Sequence, residues 1–194
     1  MEKLNSKDYI NIGIFTALYL LATIAVSGIV VVPILQILML PIIALVCGPI
    51  YLLYILKVPK FGALTITGII GSALVGLLVY ANVYCFIINI SIFLLAELVA
   101  YLGKYKSRKL NNLSYIIASF WAIGEAGLPF FYGKYFYDLS VKSGYSVAWA
   151  QGVNDLATTT NLLLMILATV ICAIISIKFS ESIFKKHFKK AGII

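Results

Sequence analysis

The stretch Asn82–Lys109 reads NVYCFIINISIFLLAELVAYLGKYKSRK, and it decides the fold of this chain. A long, mostly apolar run ends in a short segment that is rich in Lys and Arg. A helix of about 20 apolar residues is long enough to cross the hydrocarbon core of a bilayer. Translocation disfavours short loops rich in Lys and Arg, so such loops stay in the cytoplasm. We therefore interpret 82–102 as a spanning helix whose carboxyl end is cytoplasmic.

The same pattern recurs along the chain. Apolar segments lie at roughly 10–32, 34–56, 61–80, 82–102, 113–132 and 155–177. Of the 15 Lys and Arg residues, all but Lys134 and Lys142 lie in every second gap between these segments. The residues on that side are Lys3, Lys7, Lys57, Lys60, Lys104, Lys106, Arg108, Lys109, Lys178, Lys185, Lys186, Lys189 and Lys190. The pattern predicts an all-α, multi-pass protein of the cell membrane, a compact bundle of six transmembrane helices with both termini in the cytoplasm.

Composition supports the membrane class. The chain is 62% hydrophobic and has a mean hydropathy of +1.04, whereas an ordinary soluble domain is about 45–50% apolar. The six segments nearly fill the 194 residues, so we predict a single transmembrane domain over 1–194 with a basic cytoplasmic tail at 178–194. The net charge of +8 follows the gaps between spans, which favours anionic membrane lipids over nucleic acid as a partner.

The second apolar segment contains two prolines. Pro41 and Pro49, with Gly48 beside the second, predict a bent or broken helix over 34–56, because proline removes a backbone donor. Such a break persists in a membrane only where neighbouring groups satisfy the freed carbonyls.

Small residues form two stripes. Gly68, Ser72 and Gly76 in the third segment predict close packing inside the bundle. Gly13 and Ala17 in the first segment suit either internal packing or contact with another protein.

Ionisable residues within spans are costly and often mark a pathway or a binding site. We expect Glu97 to reach the membrane surface or to pair with a basic residue of 104–109. Glu125 is the stronger candidate for function, because Gly124 and Gly127 flank it and Trp121 lies one helical turn away. A carboxylate beside an aromatic ring suits a cationic or hydrogen-bonding ligand. The alternative is a carboxylate capped by hydroxyl groups within the bundle.

Neutral polar residues cluster at the outer ends of the later segments. Asn89 lies in the fourth segment, and Asn154, Thr158 and Asn161 have the spacing of one helical face at the start of the sixth. Asp155 has the position of a helix N-cap. We expect the outer ends of segments four, five and six to enclose a polar and aromatic pocket. The aromatic stretch 131–152 is either an interfacial belt or a lid over that pocket.

Several activities lack their sequence signatures. We find no Walker motif and no serine nucleophile signature, and the single histidine, His187, lies in the basic tail. We therefore predict that the chain is not an enzyme, binds no cofactor and has no metal site. An intramembrane enzyme using Glu125 and Asp155, or a stand-alone secondary carrier of a small polar solute, remain the alternatives.

The segments Lys7–Ala17, Lys57–Gly62, Glu97–Ser107 and Lys186–Gly192 carry a family resemblance. In order and spacing they resemble the substrate-binding S components of energy-coupling factor (ECF) transporters, and among these the Trep_Strep group of integral membrane proteins. The resemblance implies a six-helix protein that captures a vitamin or similar micronutrient outside the cell. It also implies partnership with a transmembrane coupling protein and two cytoplasmic ATPases, which use the ATP.

In that family, small residues on the first helix contact the coupling protein, and Gly13 and Ala17 match those positions. Family members bind substrate near the external face, in agreement with the pocket expected above. We therefore expect a small vitamin-like or heterocyclic nutrient to be bound by six residues: Glu125, Trp121, Asn89, Asn154, Thr158 and Asn161.

Overall fold

The computed structural model describes residues 3–185, and their regular elements are helical. In chain order these are α1 (Ser6–Ser27), α2 (Pro33–Val46), α3 (Gly48–Lys57), α4 (Ala63–Ser72), a π-helical segment (Ala73–Val79), α5 (Val83–Leu102), α6 (Arg108–Ala118), α7 (Ile123–Ala126), α8 (Leu128–Phe131), α9 (Gly133–Lys142), α10 (Val147–Leu156) and α11 (Thr159–Ile183). The sequence-predicted basic tail begins inside α11, and its last residues, 186–194, lie outside the described part of the chain.

Within residues 3–185, three helices, α1, α5 and α11, are long and apolar enough to cross a membrane. The pair α2–α3 makes a fourth candidate if it is one bent span. The third predicted segment is a shorter apolar helix, Ala63–Val79, and the fifth is divided among α6, α7 and α8. The membrane class is therefore supported by three or four spans, whereas the count of six spans stays a prediction.

The fifth segment is broken because its sequence does not sustain one helix. Gly124 and Gly127 have low helix propensity, and Pro129 has no N–H to donate to the preceding turn. The chain turns at 119–122 and again at Gly127, which leaves Glu125 on the single helical turn of α7.

The predicted break in 34–56 is confirmed, since α2 and α3 meet at an angle of 41°. In a continuous helix, the backbone nitrogens of Gly48 and Pro49 would face the carbonyl oxygens of Ala44 and Leu45. The Tyr115 hydroxyl donates to Ala44 O, and the Ser176 hydroxyl donates to Leu45 O at 2.6 Å. Side chains of α6 and α11 thus satisfy the carbonyls that the break leaves open.

The predicted close packing of the third segment is also confirmed. A Cβ at Gly68 would lie 2.5 Å from Phe93 Cβ, and one at Gly76 would lie 2.9 Å from the backbone nitrogen of Phe86. Ser72 between them is fully buried. The stripe therefore lets α4 and the π-helical segment approach α5 closely.

The stripe on α1 behaves differently. Gly13 and Ala17 are exposed, and a Cβ at Gly13 would meet nothing within 4 Å. The opposite side of α1 buries Ile12, Phe15 and Tyr19 in the bundle. Internal packing therefore does not explain the Gly13/Ala17 stripe.

The basic residues lie together in space. Lys60 pairs with Asp8 at 2.7 Å, and Arg108 pairs with Glu181. Lys106 lines one groove with Lys60 and a second groove with Arg108 and Glu181. The first turn of α1, the α3–α4 turn, the start of α6 and the end of α11 therefore share one end of the bundle. We call this the basic end. Helices α9 and α10 lie at the other end.

Glu97 is at the basic end, but the prediction that it snorkels or pairs with a basic residue is wrong. Its carboxylate is fully buried and accepts from the backbone amides of Gly62 (2.8 Å), Leu64 (3.2 Å) and Thr65 (2.9 Å), and from the Thr65 hydroxyl. These amides belong to the first turn of α4, whose unpaired N–H groups attract a negative charge. Gly62, with φ of +98°, allows the turn that aims its own amide at Glu97.

Candidate functional site

Asn89 and Glu125 form a direct contact in the interior of the bundle. The Asn89 amide nitrogen on α5 donates to Glu125 Oε1 on α7 at 2.6 Å, and both side chains are almost fully buried. A Cβ at Gly124 would lie 2.9 Å from Asn89 Oδ1 and 2.9 Å from Cys85 Cα, so glycine is needed for this approach. The space expected beside the carboxylate is therefore occupied by α5.

In each of these two side chains, one oxygen atom takes no part in this hydrogen bond. Glu125 Oε2 and Asn89 Oδ1 are buried and have no hydrogen-bond partner among the described residues. A buried polar atom without a partner costs about 1–3 kcal/mol, so such atoms are rare away from functional sites. The pair thus offers two unused acceptors.

Trp121 lies in an aromatic cluster at the centre of the bundle. Its ring centroid is 5.9 Å from that of Tyr19 and 5.9 Å from that of Phe93, and the side chain is fully buried. A ligand could stack on Trp121 only if these rings separated. Three donors here, Trp121 Nε1, Tyr19 OH and Ser72 Oγ, also lack partners within the part of the chain that the structure describes.

The other three predicted residues lie at the junction of α10 and α11, and they do not share one helical face. Leu156 ends α10 and Thr159 begins α11, so the helix that the spacing assumed is interrupted. The Asn154 amide donates to Gly133 O at 3.0 Å, and the Asn161 amide donates to Leu156 O at 2.7 Å. These bonds hold α9, α10 and α11 together.

The helix N-cap in this region is Thr158, not Asp155. The Thr158 hydroxyl accepts from the Asn161 backbone amide at 3.2 Å. Asp155 instead accepts from the Gln151 side chain at 2.8 Å and is exposed.

The stretch 131–152 forms most of a helical hairpin, α9–α10, at the end of the bundle opposite the basic end. Gly144, with φ of +93°, makes the turn between the two helices. Tyr145 stacks on Trp149 with centroids 4.3 Å apart, and the Tyr135 hydroxyl donates to Tyr80 O at 2.6 Å. The hairpin is therefore fastened both to itself and to the turn that follows the π-helical segment.

A cavity of about 120 Å³ lies beneath this hairpin. Its walls come from α2, the end of the π-helical segment, α9 and α10, and they include Gln36, Tyr80, Phe136, Ser140, Tyr145 and Trp149. Tyr80 lines this cavity, and its backbone carbonyl accepts the hydrogen bond from the Tyr135 hydroxyl.

None of these wall residues was among the sequence-predicted ligands. The sequence did indicate Gln36, because it is the one amide in an otherwise apolar segment. In the structure its side chain is buried, with 6% exposure. Tyr80 and Trp149 carried none, since Tyr and Trp near segment ends are typical of any membrane protein.

Chemically, the arrangement suits binding. Aromatic side chains with a few amide, hydroxyl and phenol groups between them are the usual lining of a small-molecule pocket. Within 3–185, no group of three or more His, Cys, Asp or Glu side chains could hold a metal ion.

Comparison with known proteins identifies a family. The family described as "Hypothetical bacterial integral membrane protein (Trep_Strep)" matches residues 6–190. No curated protein and no solved structure is significantly similar to the chain. The chain therefore belongs to the Trep_Strep family of bacterial integral membrane proteins.

Proposed function

We propose that this chain is the substrate-capture subunit of an ECF-type importer and that it binds a small vitamin-like or heterocyclic nutrient beneath α9–α10. The observation that carries the proposal is the cavity under the hairpin, together with the buried Glu125 carboxylate, whose Oε2 has no hydrogen-bond partner among the described residues. A membrane protein that only captures a solute needs a pocket and a cover, and no catalytic group.

The cavity is small for such a ligand. Pockets for drug-sized molecules hold about 300–1,000 Å³, against about 120 Å³ here. The hairpin must therefore open or shift to admit a heterocycle, which is how a lid works. In the loaded protein, Glu125 and Asn89 supply hydrogen-bond acceptors or charge, and Trp121 supplies an aromatic wall. Asn154, Thr158 and Asn161 position the lid.

The exposed stripe on α1 supports a partner. Its small residues would let another helix approach closely, and Ile10, Ile14 and Leu21 around them are more than half exposed. We propose that the coupling protein binds this stripe and that two ATPases bind the coupling protein and supply the energy. The loaded chain would then release its solute inward.

A second candidate is a proton-coupled secondary carrier. The unpartnered Glu125 Oε2 favours it, because a buried carboxylate that can bind a proton is a common element of such carriers. This carrier would transport without any ATPase.

The test is to purify the tagged chain from its host membranes and identify the small molecule released when the protein is denatured. Equilibrium binding of that molecule is then measured for Glu125→Gln and, as a matched control, for the exposed Asp155→Asn. We expect Glu125→Gln to weaken binding about tenfold or more, because a lost charge-assisted hydrogen bond costs about 1.5–3 kcal/mol. Unchanged affinity would remove Glu125 from the site, and a chain that never binds a solute would contradict the proposal.

A further inference from the structure

A second site lies at the basic end, far along the bundle from the lid. A groove of about 280 Å³ opens between α3, α6 and α11. Leu52, Leu56 and Phe184 form its apolar wall, and Lys106, Arg108 and Lys185 form its charged rim. An apolar wall beside a cluster of cations is the complement of an amphipathic anion.

One carboxylate in the groove is already satisfied. Arg108 donates to Glu181 through both Nε and a terminal nitrogen, and the Asn112 amide donates to Glu181 at 3.0 Å. The Lys106 and Lys185 ammonium groups make no hydrogen bond or ion pair with the described residues. Lys106, Arg108 and Lys185 thus outnumber Glu181, the one carboxylate among the described residues that line the groove, and leave it with a net positive charge.

The position of Lys106 is fixed by the preceding turn. Lys104 and Tyr105 both have positive φ, 48° and 57°. The Asn111 amide donates to Tyr105 O at 2.9 Å, and Tyr105 itself is buried at 6% exposure. These contacts hold the left-handed turn so that Lys106 stands at the rim rather than on a flexible loop.

We propose that this groove binds one anionic phospholipid, with the phosphate between Lys106 and Lys185 and an acyl chain along Leu52 and Leu56. Charge complementarity selects the headgroup, since basic pockets at the ends of spanning helices attract anionic lipid. The apolar wall selects a lipid over free phosphate, because it is of use only to a hydrocarbon chain. This inference does not depend on the ligand beneath the lid.

The test is native mass spectrometry of the full chain in detergent, titrated with phosphatidylglycerol or with phosphatidylcholine of the same acyl chains. The groove variant is Lys106→Gln/Lys185→Gln. The matched control is Lys57→Gln/Lys109→Gln, which removes the same charge from the same end outside the groove. All four side chains are exposed, so neither variant should affect folding.

We expect wild type and control to retain one phosphatidylglycerol in preference to phosphatidylcholine. The groove variant should bind phosphatidylglycerol roughly tenfold or more weakly, the loss expected for two basic contacts. Equal weakening in both variants would overturn the proposal, because it would show diffuse surface attraction. Displacement of the lipid by millimolar inorganic phosphate, or equal retention of phosphatidylcholine, would overturn it as well.

Discussion

Two buried glutamates of this chain differ because their neighbours differ. Glu97 accepts hydrogen bonds from three backbone amides and from the hydroxyls of Thr65 and Tyr105, so both of its oxygens are satisfied. Glu125 receives one side-chain amide and keeps an oxygen without a partner among the described residues. In the sequence, both are acidic residues within apolar segments and look alike. Only their contacts in the structure distinguish Glu97, a structural carboxylate, from Glu125, a candidate ligand-binding residue.

Glu97→Gln should destabilise the protein without changing ligand binding. Glutamine replaces one accepting oxygen with a donor, which would face amides that also donate. We expect a loss of about 1–3 kcal/mol, seen as a lower thermal unfolding midpoint in detergent. An unchanged midpoint would contradict the capping role, and a changed ligand affinity would show that the two ends of the bundle are coupled.

A helix break that has a local cause can be predicted from the sequence, whereas the distant contacts that stabilise it cannot. Pro49 and Gly48 predict the α2–α3 break, because proline lacks a donor wherever it lies. The donors that stabilise the break, Tyr115 and Ser176, lie far away in the chain and carry no sequence signal. For the same reason, Asn89 and Glu125 could be named as candidates, whereas their mutual hydrogen bond could not.

The lining of the predicted pocket also depended on structure that the sequence does not show. Asn154, Thr158 and Asn161 have helical spacing, but the chain leaves the helix at Ala157 between them. Spacing implies a shared face only if the helix continues, and here the bonds to Gly133 and Leu156 compensate for its end. The cavity walls come instead from residues of four elements.

Gly48→Ala should destabilise the protein by disturbing the packing at the α2–α3 break. A Cβ there would lie 2.9 Å from Ser176 Cβ and 3.1 Å from Tyr115 Cε1, so both hydroxyl donors would have to move. Overpacking of this kind costs about 1–3 kcal/mol. The matched control is Gly13→Ala, which meets nothing within 4 Å and should leave stability equal or raise it by up to about 1 kcal/mol. Thermal unfolding midpoints compare the two, and equal midpoints would contradict the packing described for the break.

Tyr145→Ala should loosen the hairpin. The variant removes the ring that stacks on Trp149, a contact worth about 0.5–1.5 kcal/mol. We expect amide hydrogen exchange across α9 and α10 to become roughly two- to tenfold faster, with exchange in α5 unchanged. Tyr84→Ala, at an exposed tyrosine of α5, is the control. Exchange that rises equally in both variants, or in neither, would argue against a separately opening lid.

For the whole molecule, the distribution of charge and apolar surface is the dominant feature. Large apolar side chains are exposed along α1, α5 and α11, among them Ile10, Leu102 and Leu163, each more than 60% exposed. Such a surface suits lipid rather than water. The basic residues of distant segments meet at one end, as the alternation of charged gaps predicted, because alternate loops of a helical bundle lie on the same side.

In the proposed importer, the α1 stripe is the surface that contacts the coupling protein. Gly13→Leu/Ala17→Leu should abolish co-purification of the coupling protein while ligand binding and the unfolding midpoint stay unchanged, since both positions are exposed. Ser91→Leu, an exposed position on α5, is the control and should keep the complex. A complex that survives the double substitution would place the docking surface elsewhere.

The most direct test of the central claim is native mass spectrometry of the chain, purified in mild detergent from its own host membranes. We expect an assembly of this chain with one coupling protein and two ATPases, and a small molecule bound to the chain. A chain that comes out alone, yet moves its solute across vesicle membranes without ATP, would contradict the capture-subunit proposal and establish the carrier in its place.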